Sequence, residues 1–164
     1  MRKILLALLI ALLPLTLLAT QTHAESMTIA DTVLKMPLAE DVSMDDAVES
    51  MKLRANTLNF KLVAHLPLYK ELESMGVETK RIEIFQFCDA RIANEMIKEN
   101  IDFSAYLPCR ITLIEDQEGK AWLTTLDLNK VIEMAGLPPN LMENAIEVRD
   151  TIEEIMTAGA TGDL

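Results

Sequence analysis

The chain has 164 residues, with 15 basic and 26 acidic side chains and a formal net charge of −11. That length suits one domain. So negative a field repels phosphate backbones and anionic lipid, which argues against nucleic acid as a partner.

The amino terminus reads as a secretory leader. Arg2 and Lys3 are followed by an apolar run, Ile4 to Leu18, broken by Pro14 and Thr16. The chain then turns polar and reaches Thr22-His23-Ala24, with small residues at the first and third places. Positive, apolar and small-residue segments in that order mark a cleavable signal. A membrane anchor needs about 20 apolar residues, and this run is shorter and holds a proline. Residues 1–24 are therefore expected to be removed, leaving no stable membrane anchor and a periplasmic or secreted protein that starts at Glu25. Loss of Arg2 and Lys3 leaves 13 basic against 26 acidic residues. Loss of His23 leaves one histidine, His65, beside two cysteines, Cys88 and Cys109.

Residues 25–42 hold a short strand, Thr32 to Met36, and a connection. Residues 43–157 read as one α/β domain. Ser43 opens a helix, with Asp46 three places on as in a capping box. Met44, Ala47, Val48, Met51, Ala55 and Leu58 then share one apolar face. Phe60 to Leu66 alternates as a strand with one better-buried face: Phe60, Leu62, Ala64 and Leu66 point one way. Pro67 suits the start of a short helix and Gly76 its end. Arg81 to Phe87 is the next strand, rich in β-branched and aromatic residues (Ile82, Ile84, Phe85, Phe87). Asp89 caps a helix carrying Ile92, Ala93, Met96 and Ile97 on one face. A loop, 100–108, leads to Cys109 to Glu115 and Lys120 to Thr125, joined by Asp116-Gln117-Glu118-Gly119. That pair reads as a β-hairpin. Asp127 caps a further helix that Gly136 closes, and Pro138-Pro139 starts a helical carboxyl terminus. Residues 158–164 are small and polar, the pattern of a flexible tail. Strands alternating with helices predict a single α/β (α+β) domain built on a mixed sheet covered by helices.

The stretch from Phe87-Cys88-Asp89-Ala90 to Leu107-Pro108-Cys109-Arg110 resembles the uncharacterised family called domain of unknown function 302. So does the strand-turn-strand that follows, Ile111-Thr112-Leu113-Ile114-Glu115 and Lys120-Ala121-Trp122-Leu123-Thr124-Thr125. The resemblance covers residues 43–136. It implies a compact α/β fold that is often a homodimer, and it implies no established reaction. The family usually has methionine-asparagine where this chain has Leu126-Asp127.

Cys88 ends one strand and Cys109 begins the next. The connection between them is long enough to return the chain to its starting end, so the two are expected to be neighbours. Three readings follow. One is a structural Cys88–Cys109 disulfide, which would stabilise by about 3 kcal/mol in the chain-entropy model, in a non-catalytic dimeric scaffold. A second is a binding module in which Cys88, Cys109 and His65 hold a metal, haem or thiol-reactive ligand. Two thiolates and an imidazole suit zinc or copper. A third is thiol redox chemistry, with Cys88 at a helix start. The spacing lacks the CxxC of a redox or zinc motif. The methionines lie on apolar faces and read as core. Glu115, Asp116 and Glu118 lack the spacing of a calcium loop and read as a solvated turn. Trp122 reads as core or dimer surface.

Overall fold

The computed structural model describes residues 27–163. The leader assigned to residues 1–24 lies outside them. The elements in chain order are β1 (Val33–Pro37), α1 (Met44–Thr57), β2 (Lys61–Leu66), α2 (Leu68–Ser74), β3 (Ile82–Cys88), α3 (Ala90–Glu99), β4 (Cys109–Glu115), β5 (Ala121–Leu126), α4 (Leu128–Ala135) and α5 (Pro139–Thr161). They form one α/β domain with a late β4–β5 hairpin and a helical carboxyl terminus.

The starts of the helices follow from the sequence. Ser43 accepts from the Asp46 amide, and the Asp46 carboxylate reaches back to Ser43. Asp89 and Asp127 cap α3 and α4 through their side chains. Gly136 ends α4 in the left-handed region that glycine adopts without strain.

The sheet order is β1-β5-β4-β3-β2. Every pairing is antiparallel, where the alternation of elements predicts a mixed sheet. The reason is that the α2 and α3 excursions return the chain to the end of the sheet it left, whereas α1 crosses to the far end and delivers β2 to the opposite edge, where it is no neighbour of β1. In β3, burial alternates with the pleat: Glu83, Phe85 and Phe87 are buried and their neighbours half-buried. Phe85, Phe87, Ile111, Leu113 and Leu123 pack with Met51 of α1 and Ile152, Ile155 and Met156 of α5 to make the core. The opposite face, with Ile84, Thr112 and Thr124, is only half-buried.

Two local expectations are overturned. β2 has no better-buried face: all six residues are exposed, because the strand lies at the sheet edge and slips register between Leu62 and Ala64. The tail expected from Ala158 is the last turn of α5, with Ala158, Gly159 and Ala160 buried. Small side chains there permit close packing, which composition alone reads as looseness. The acidic turn is ordered by Asp116, which accepts from the Glu118 and Lys120 amides and from the Trp122 indole at 2.8 Å.

Candidate functional site

β3 and β4 are adjacent, and Phe87 lies directly across from Cys109. The strand that ends at Cys88 thus meets the strand that begins at Cys109 at one end of the sheet. Between them α3 leaves the sheet, and the 3₁₀ segment Ile101–Tyr106 brings the chain back. Opposed residues sit about 5 Å apart and each residue advances about 3.4 Å, so the two cysteine Cα atoms are separated by roughly 6 Å. The expectation that they are neighbours is met.

Proximity has not made a bond. Both cysteines are free thiols, which corrects the disulfide reading. The pleat supplies the reason. Cys109 shares a face with its partner Phe87, whereas Cys88, one residue further along β3, leaves on the other side.

A crevice opens beside them, enclosed by the sheet end and by α3, α4 and α5. It spans about 690 Å³, part of it open to solvent, and is narrow. Phe87, Ile92, Met96, Val131, Ile132 and Val148 are among the side chains that wall it, and both cysteines border it. So apolar a lining, beside a few polar groups, is the kind found in small-molecule sites.

The third expected site residue is elsewhere. His65 pairs in register with Phe85, three residues before Cys88, or about 10 Å along the strand. Its ring stacks on Phe85 with centroids 4.4 Å apart. Its Nε2 lies 2.5 Å from Oε2 of the buried Glu83, whose Oε1 accepts from Arg81. Arg81 in turn pairs with Asp45 at 2.8 Å. Among the described residues no group of three or more His, Cys, Asp or Glu side chains is placed to hold a metal. The Cys88, Cys109 and His65 ligand set for zinc, copper or haem is therefore not assembled.

The sequence profile of the family described as Domain of unknown function DUF302 matches residues 34–159. The chain belongs to the DUF302 family. A similar solved structure is the crystal structure of an uncharacterized conserved DUF302 protein from Bacillus stearothermophilus. The two share a TM-score of 0.66 at 15% identity, over 77% of this chain and 97% of that one. At that identity the likeness shows the fold. No curated protein matches the chain.

The electrostatics of the crevice in this DUF302 chain keep its thiols protonated. Burial pushes the Cys109 thiol up from 9.0 to about 11, and charge on nearby Cys88 adds to the rise. Burial also raises Cys88, with the carboxylate of Asp89 contributing. Redox cysteines are shifted the other way, because the thiolate is the nucleophile. A thiol at about 11 holds about a hundredfold less thiolate near neutral pH than one at 9.0. Alkylation of Cys109 by iodoacetamide at pH 8 should therefore run about a hundredfold slower in the folded protein than in urea; equal rates would refute the burial. The sign carries to stability. Folding holds this proton more tightly than the unfolded chain does, so its contribution is complete below pH 9 and is lost as pH rises towards 11.

Sequence reasoning found the cysteines and missed the crevice. Met96 and Ile92 carry helical spacing, which signals core and cavity wall alike. Glu83 did leave a signal: a carboxylate in phase with Phe85 and Phe87 falls on a buried face and needs partners.

Proposed function

We propose that this protein is a binding module that takes a small apolar ligand in the crevice bordered by Cys88 and Cys109. The observation that carries the reading is the lining: three helices and a sheet end converge on an open crevice and present almost wholly apolar side chains to it. A soluble domain ordinarily closes such surface into its core, and apolar surface left open marks a contact site. The Cys109 thiol, on the Phe87 face and held protonated, acts as a further soft, weakly polar wall group.

The same reading places the mature protein outside the cytoplasm. Its support is the order of charge, apolar run and small residues before Glu25, and the amino-terminal residue of the purified protein checks it.

The test of the crevice uses a neutral fluorescent probe, N-phenyl-1-naphthylamine. Wild type should enhance its fluorescence saturably. Ala93→Phe, which fills the wall from half-buried Ala93 on α3, should weaken binding at least tenfold with an unchanged far-UV spectrum. No saturable binding by wild type, or full binding by a folded Ala93→Phe variant, would defeat the reading.

A further inference from the structure

A second groove adjoins the first. It lies on the open side of β4 and β5 and spans about 890 Å³, including space open to solvent. Arg110, Thr112 and Thr124 supply its polar wall, while Tyr106, Cys109 and Leu128 line both cavities. The apolar crevice and the polar groove thus share a boundary. The pleat explains the contrast. Cys109 and Ile111 face the helices, and Arg110 and Thr112 alternate to the other side. Thr124 stands directly across from Thr112, on the same face.

Arg110 is unusual for this chain. Acidic residues outnumber basic ones by 26 to 15. Arg54, Arg81, Arg91 and Arg149 are each tied to a carboxylate. Among the described residues Arg110 is the one arginine without such a partner, and its side chain is exposed. The hydroxyls of Thr112 and Thr124 make no hydrogen bond among the described residues either. Asp127, just beyond β5, has its carboxylate engaged with the Asn129 amide at the start of α4. A guanidinium presents up to five donors in a fork suited to carboxylate and other oxyanions. Two free hydroxyls beside it add donors.

We infer that the ligand is an amphiphile: a single apolar chain seated in the crevice, with an anionic head held in the groove by Arg110, Thr112 and Thr124. This rests on the crevice reading and extends it to a head group. The narrowness of the crevice selects one chain over the paired chains of a bilayer lipid. The net negative charge of the protein opposes anions at long range, so the head group is held by the local arginine and not by the overall field.

The experiment compares decanoate with decanol as competitors of the bound neutral probe, for wild type and for Arg110→Gln. Decanoate should bind about fivefold more tightly than decanol, the size expected of an exposed charge-assisted pair. In Arg110→Gln the ratio should fall to one. Decanol binding as well as decanoate, or a ratio unmoved in Arg110→Gln, would overturn the head-group assignment while leaving the crevice reading intact. Failure of both competitors and of the probe itself would overturn both. Vesicles of phosphatidylglycerol should not carry the protein down on sedimentation; if they do, and decanoate does not bind, the ligand is a membrane lipid and the single-chain assignment is wrong.

Discussion

Glu83→Ala should unfold about 2–3 kcal/mol more easily than wild type in urea. Glu83 is 4% exposed and sits on the core face of β3. Its carboxylate is the one group that joins His65 of β2 to Arg81, which itself reaches Asp45 of α1. Breaking one side of a buried pair costs about 3–5 kcal/mol when the surviving charge is sealed from water. Here the side chains of Arg81 and His65 remain 26% and 35% exposed, so solvent recovers part of that cost. Glu83→Gln keeps the volume and can still hydrogen-bond both partners, so about 1 kcal/mol should be lost. A Glu83→Ala variant as stable as wild type would show that the carboxylate contributes nothing net. His65 thereby takes on a structural role, as the inward tie of an edge strand whose side chains are otherwise open to water.

Gly159→Val should destabilise by about 3 kcal/mol. Gly159 lies inside α5, where alanine would ordinarily be better by about 1 kcal/mol. A Cβ added there would stand 2.5 Å from Met51 Cγ, 2.9 Å from Leu123 Cδ1 and 3.3 Å from the Ala47 carbonyl oxygen. The first contact is to the middle of a fully buried side chain, and the last is to backbone. Neither can retreat cheaply, and overpacking of this kind costs about 1–3 kcal/mol before β-branching in a helix is added. Gly159→Ala should lose less, about 1 kcal/mol, since its helix propensity offsets part of the clash. Urea midpoints order the two variants; a Gly159→Val protein at wild-type stability would mean that α5 shifts away from α1 without cost.

Particular residues show where the chain can and cannot be read from its letters. Helix starts at Ser43, Asp89 and Asp127 were legible because a capping side chain acts on amides two or three places away. The β4–β5 hairpin was legible because only five residues, polar and including Gly119, separate its strands. Strand order was not. β1 and β2 follow one another in the chain yet stand at opposite edges of the sheet, and β1 pairs with β5, a contact between distant segments that no local spacing reports. Gly159 failed for the opposite reason: near a chain end, small residues signal fraying, yet here they let α5 approach α1 closely. Of the site, Cys88 and Cys109 were legible as a pair because the connection between them has the length to return. His65 was misplaced because residue type suggested a ligand, while register decides which end of the sheet it occupies. Arg110 carried no signal in sequence, since an arginine without a carboxylate partner is defined only once every other charge is placed.

Three sides of the crevice are held down lightly. α3 buries only Ile92, and neither α4 nor the 3₁₀ segment Ile101–Tyr106 buries any residue fully. The sheet and the α1–α5 pair hold the densest packing. Local opening in a folded domain begins where few apolar contacts must be given up. A guest of the proposed site would therefore enter by parting these outer pieces while the framework beneath stays intact, and its arrival and departure rates would follow that breathing motion and not the global unfolding rate.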